Sequence, residues 1–163
     1  MGLILPTSDG TSVRISPPCF FRATPLASTF YLVMTATPQV GGPFAHPKVQ
    51  QAVRYALDYD GIMALAGPGA VRLAGIIPAV FPGALDPRQA VKTDRERARA
   101  LLREANLGEV KGALTYASDS TIWGIQMTLL AQKVQADLAA LGIAVTLSGL
   151  PRATALQAYR DGK

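Results

Sequence analysis

The chain has 163 residues, 49% of them apolar, with 16 Lys and Arg against 11 Asp and Glu, a net charge of +5 and a pI near 9.7. That is one domain's length with enough apolar residues for a packed core, and its cations are spread along the chain rather than clustered, which argues against nucleic acid. No run approaches the roughly 18 apolar residues of a membrane span, and the single cysteine, Cys19, permits neither an internal disulfide nor a metal-binding pair.

Residues 1–29 read as an irregular connector, because Pro6, Pro17, Pro18 and Pro25 forbid a continuous helix. Within it Val13 and Ile15 alternate with polar neighbours, a short-strand pattern, and Cys19 sits at a loop or strand entry. Phe30–Ala36 is aromatic and β-branched, stops before Pro38, and is expected to be a strand. Gly41-Gly42-Pro43 is a turn.

His46–Leu57 predicts a helix. Pro47 suits the first helical position, and Val49, Ala52, Val53, Ala56 and Leu57 repeat as one buried face. Asp58 ends it and caps a short second helix to about Ala66. Residues 67–92, with four prolines and four glycines, form a long loop, the kind that is usually functional. Thr93-x-x-Glu96 has the form of a capping box for a helix whose inner face is Ala98, Leu101, Leu102 and Ala105, with Arg95, Arg97, Arg99 and Arg103 mostly solvated. Asn106 and Gly108 end it.

Ala113–Ala117 predicts a strand, Ile122–Leu141 a long helix with Leu130, Val134, Leu138 and Leu141 on one stripe, and Ile143–Leu147 a further strand. Together they make a βαβ unit, expected parallel and right-handed. Pro151 to about Tyr159 begins a last helix. The fold class is α/β, with a thin sheet for so many helices.

Chemistry-bearing clusters are scarce. His46 is the only histidine and reads as a cap or an exposed residue; no zinc site is expected. There is no Gly-x-Ser-x-Gly elbow and no P-loop, and Gly67-Pro68-Gly69 follows a helix rather than a strand, unlike a dinucleotide fingerprint. Asp58 and Asp60 flank a helix junction and make a poor acid–base pair. No catalytic set, cofactor or metal is expected, which favours a binding or structural role.

Four stretches in order carry a family resemblance. Phe30-Tyr31-Leu32-Val33-Met34 stands in the place of an aromatic strand that normally ends in Asn; here Thr35-Ala36-Thr37 follows. Gly42–Asp58 resembles a "PPF-x-D-x-x-VRQAL-x-YAID" signature, with His46-Pro47 near the acidic position and Val49-Gln50 for Val-Arg. Asp94–Ala105 and Val134–Val145 are similar to "D-P-x-x-A-x-x-LL-x-EAG" and "IQ-x-x-L-x-x-x-GI-x-V". The chain thus resembles the family 5 extracellular solute-binding proteins, of the oligopeptide, dipeptide and nickel class, that serve bacterial ABC importers.

The resemblance implies a periplasmic-binding-protein-like clamp of type II, cluster C. Residues 30–163 would be part of its C-terminal α/β lobe, with an incomplete mixed or parallel sheet and flanking helices; residues 1–29 would lead in from the other lobe. It implies a peptide or related solute held in an interlobe cleft, ABC permease subunits as partners, and a periplasmic or membrane-associated extracytoplasmic location, the chain starting downstream of any signal peptide. Dipeptide-binding relatives place an Arg at a helix start that falls here near Thr128 and Leu129, so the resemblance leaves the solute open.

Ligands of α/β sheets sit beyond the carboxyl ends of parallel strands, near helix N-termini. That selects Ser118, Asp119, Ser120, Thr121 and Trp123, the last either stacked on a ligand or packed in the core. The glycine-rich stretch Gly67–Gly75, including Gly69, is a second candidate wall. Other readings are a sensory or structural module of a regulator, a small α/β enzyme using Asp58 or Asp119, and self-association across an open sheet edge.

Overall fold

A computed structural model describes residues 29–162 except Pro68, Gly69 and Ala79, together with two short strands nearer the start. Those strands, β1 (Ile4–Pro6) and β2 (Ser12–Arg14), pair antiparallel, with Leu5 opposite Val13, inside the segment expected to be irregular. Cys19 lies outside the described residues.

The expected strand at Phe30–Ala36 does not form a ladder. The period-two burial is present: Leu32 and Met34 pack on the core, while Tyr31 and Val33 face solvent. A strand needs a hydrogen-bonded neighbour as well as alternation, and no strand pairs with this segment among the described residues. A short helix, α1 (Pro38–Gly41), and a 3₁₀ turn (Gly42–Ala45) follow.

α2 (Pro47–Ala56) forms as its sequence directs. Pro47 occupies the first turn, and the Lys48 N–H donates to His46 Nδ1 at 3.3 Å, so His46 is the N-cap. Val49, Ala52, Val53 and Ala56 are buried along one stripe. Asp58 then caps α3 (Tyr59–Ala66) by accepting from the Gly61 N–H. The loop after α3 contains only one 3₁₀ turn among the described residues, Pro87–Gln89.

α4 (Arg95–Ala105) starts later than the capping-box pattern implies. Asp94, not Thr93, is the N-cap, accepting from the Arg97 N–H at 2.9 Å. Thr93 is taken by the neighbouring helix instead: its hydroxyl donates to the Leu57 carbonyl at 2.6 Å. The Asp94 N–H donates to Tyr55 O at 2.9 Å, and the Arg97 guanidinium lies over the Tyr55 ring. These bonds pin the start of α4 to the end of α2, and alanines at 52, 56, 98 and 105 let the two helices approach closely. Asn106, in the left-handed region at φ 50°, stops α4.

β3 (Lys111–Ala117) is followed by two two-residue strands, β4 (Thr121–Ile122) and β5 (Ile125–Gln126). α5 (Met127–Ala139) and β6 (Ala144–Leu150) complete the expected βαβ unit, and β3 and β6 pair parallel from Lys111–Ala144 to Ala117–Leu150. α6 (Arg152–Arg160) ends the described chain. The sheet has one covered face. Gly112, Leu114 and Val145 look inward, while Lys111, Ala113, Ala144 and Thr146 are exposed, unlike a parallel sheet buried on both sides. Phe44 lies so close over Gly112 that a Cβ there would sit 2.7 Å from a ring carbon.

The core joins α2, α4, α5 and the sheet, with Ile143, Val49 and Val53 its largest fully buried side chains. It contains one ionic cluster that the hydrophobic stripe did not foretell. Asp137, 4% exposed, accepts from Lys133 Nζ at 2.6 Å and from the Asp58 N–H at 3.0 Å. Lys133 also donates to Asp58 Oδ2 at 2.9 Å, and Arg95 lies 4.0 Å from Asp137. The cluster joins the α2–α3 junction to α5. The Gly61 amide and then Lys133 hold the Asp58 carboxyl below its ordinary range. Burial works against the charge of Lys133, but its two carboxylates outweigh it and raise its pKa.

Candidate ligand-binding site at the carboxyl edge of the sheet

The parallel strands β3 and β6 end side by side, and the turns that leave them are fastened together. The Ser118 N–H donates to Leu150 O at 2.9 Å, and its hydroxyl donates to the same oxygen. Asp119 Oδ1 accepts from the Arg152 N–H at 2.9 Å and from the Ser120 hydroxyl at 3.2 Å. Asp119 therefore caps α6 from another part of the chain, supplying the acceptor that Pro151 cannot. Gly149 makes room for this junction: a Cβ there would meet Ser118 Cβ at 2.8 Å and the Tyr116 hydroxyl at 3.0 Å.

The helix expected to begin at Ile122 begins at Met127. Residues 121–126 fold instead into a hairpin, with Thr121 opposite Gln126 and Ile122 opposite Ile125. Trp123 and Gly124 form its two-residue turn with φ of 53° and 84°, the double left-handed geometry of a tight hairpin. Glycine adopts it freely; for a tryptophan it costs energy. Ile125, 6% exposed, anchors the hairpin, and the Met127 N–H donates to Ser120 O at 3.1 Å. One amide at the start of α5 is thus already committed.

Ser118, Asp119, Ser120, Thr121 and Trp123 do come together on one rim, but not in the expected arrangement. Asp119 is spent on α6, and Thr121 lies on a strand rather than before a helix. Trp123 is neither at a helix start nor in the core: it projects from the hairpin tip with 57% of its surface exposed. Gly69 lies outside the described residues. Reading residue types alone missed Gly149 and the α6 cap, both of which depend on contacts distant in sequence. Gly124 was the one local signal for the turn; Trp123 is not a residue that such a turn favours.

Among the described residues no group of three or more His, Cys, Asp or Glu side chains is placed to hold a metal ion, and no helix is long and apolar enough to cross a membrane. Asp58 and Asp119 are both occupied by structural hydrogen bonds.

Residues 6–163 match the family described as "Bacterial extracellular solute-binding proteins, family 5 Middle". Solved structures agree. The agropinic acid complex of the binding protein AgaA from A. tumefacien R10 is 28% identical with a TM-score of 0.62, over 74% of this chain and 25% of that one. A dipeptide-binding protein from pseudoalteromonas sp. SM9913, in complex with Met-Leu, is 26% identical with a TM-score of 0.65, over 75% and 24%. NikA from Brucella suis shares the fold at 24% identity, with a TM-score of 0.59 over 73% and 26%. The chain therefore spans about a quarter of the length of the proteins it matches. No curated protein matches it. The family consists of binding proteins rather than enzymes, and the matched residues include every described element from α1 to α6. With the partial α/β architecture and the family match in agreement, the chain belongs to the bacterial extracellular solute-binding proteins of family 5.

Proposed function

We propose that the rim formed by Ser118, Ser120, Thr121 and Trp123 lines one side of a solute cleft, and that the solute is a peptide or a related organic acid passed on to an ABC permease outside the cytoplasm. One observation carries this reading: an exposed tryptophan held in a left-handed turn beyond the carboxyl ends of two parallel strands, where α/β sheets take ligands. A broad, rigid aromatic face there suits stacking against a planar or aliphatic solute. Two of the similar structures hold agropinic acid and Met-Leu, both carboxylate-bearing molecules, which supports that solute class.

Residues 30–163 act in this reading as part of one lobe, with residues 1–29 leading into it. A second lobe would supply the opposite wall, so affinity of this chain by itself should be far below that of a complete clamp. A second copy covering an open sheet edge in the same way is a lesser part of the proposal.

Trp123 is the sole tryptophan, so its emission reports on the rim without interference. Titration with dipeptides, longer peptides and opine-type acids should give a saturable change in emission for one class. Binding measured by calorimetry should weaken about tenfold for Trp123→Ala and less for Trp123→Phe, which keeps an aromatic face. Calorimetric binding of equal strength in Trp123→Ala would remove the rim from the site.

A further inference from the structure

Arg72 lies in the long loop after α3, and its surroundings are incomplete in a specific way. Its guanidinium stacks on the Tyr59 ring, 4.4 Å from the centroid. Nη1 is directed to Asp60, but at 3.8 Å, beyond hydrogen-bond distance, and the Asp60 carboxylate is almost fully exposed. On the other edge, Nε and Nη2 are shielded from solvent, and neither has an acceptor among the described residues.

Those two nitrogens carry parallel N–H bonds, the side-on fork that matches the two oxygens of a carboxylate. Arginine cannot escape the mismatch by losing its proton. Buried donors without partners are costly, and a charged donor more so. Tyr59 offers no remedy: its hydroxyl donates to Arg54 O at 2.7 Å, and burial keeps the phenol neutral.

We propose that the inward edge of Arg72 is an anion site for a planar carboxylate. The site is separate from the rim around Trp123 and does not depend on the function assigned to that rim. Asp58, next to Tyr59, bonds to Asp137 in the last turns of α5, whereas Ser120 bonds to Met127 at its start. Ten residues of helix, about 15 Å, lie between the two places. Both nitrogens are closed off even to a water molecule, so an anion reaches them only when the loop opens, and reclosure around the pair leaves it in a low dielectric, where a paired charge gains most. No backbone–backbone hydrogen bond among the described residues ties down Val71–Ile77, so local opening of this stretch provides the route in.

The test is nuclear magnetic resonance of the arginine Nε–H signals in the whole chain, titrated with acetate or with chloride at constant ionic strength. Acetate should move the Arg72 signal saturably downfield, chloride should not, and Arg88, whose Nε already bonds to Asp86, should stay in place. In thermal denaturation the acetate-dependent rise in Tm should require at least about tenfold more acetate in Arg72→Lys, which keeps the charge but loses the fork. A stationary Arg72 signal would show that no anion reaches these donors, and an equal response to chloride that the fork does not select a carboxylate; either result would overturn the proposal. The wild-type measurement decides the matter even where the variant folds poorly.

Discussion

Two regions of the described chain treat apolar side chains in opposite ways. In the core of α2, α4, α5 and β6, Val49, Ala52, Ala56, Ala98 and Ile143 have no exposed surface at all. In the loop between α3 and α4, Ile76 is 93% exposed, and Val71, Val80, Phe81 and Leu85 are each at least half exposed. Both regions are rich in apolar residues; what separates them is hydrogen bonding, which the prolines and glycines of the loop do little to supply. Core helices have their ends tied to one another by Thr93, Asp94 and Asp137, whereas the loop has, among its described residues, one 3₁₀ turn and few backbone bonds of its own. Stability is expected to reside in the first region, and adaptability in the second.

Substitutions can break that contrast or sharpen it. Ile143→Ala should cost about 4 kcal/mol, because the cavity lies where α5 turns into β6 and cannot readily collapse. Ile76→Ser in the loop should change stability by less than about 0.5 kcal/mol. Chemical denaturation of the two variants checks both figures, and comparable losses would erase the distinction.

Lys133→Met should come next, at about 3 kcal/mol, since it leaves Asp137 buried with the Asp58 N–H as its hydrogen-bond donor and only Arg95, at 4.0 Å, as a counter-charge. The pH dependence has a definite sign. Asp58 is depressed below 3.8, so its contribution is present above that pH and is lost as acid takes it through its lower folded value. Lys133 is raised above 10.5, so its contribution is full below that pH and is lost as alkali takes it through the raised value. Denaturation midpoints followed from pH 3 to 11 should therefore fall at both flanks in the wild type and less steeply in Lys133→Met.

Much of the helical framework was legible because helix grammar is local. Pro47, the spacing of Val49 to Ala56, and Asp58 as a cap specify α2 and the start of α3 within a few residues. Local grammar failed where a residue had two suitors. Thr93 fits a capping box, but the carbonyl of Leu57, distant in sequence, claims its hydroxyl. It failed again at Ile122–Gln126, whose residues are tolerable in a helix; only the left-handed Trp123-Gly124 turn excludes it. Phe30–Ala36 had the burial rhythm of a strand, yet rhythm does not supply a ladder partner. For the site, the contiguous run from Ser118 to Trp123 could be found in chain order, but the diversion of Asp119 to α6 could not, because its partner Arg152 belongs to another element. Arg72 was invisible for the same reason: nothing near it in sequence announces Tyr59 beneath it.

The most direct measurement is hydrogen exchange of the whole chain, with and without the solute that saturates the Trp123 signal. If the rim takes the solute, protection should rise at residues 118–128 and at the start of α6, while α2 and α4 exchange as before. Protection confined to α2 and α4, with the Trp123 hairpin unchanged at saturation, would contradict the assignment of the cleft.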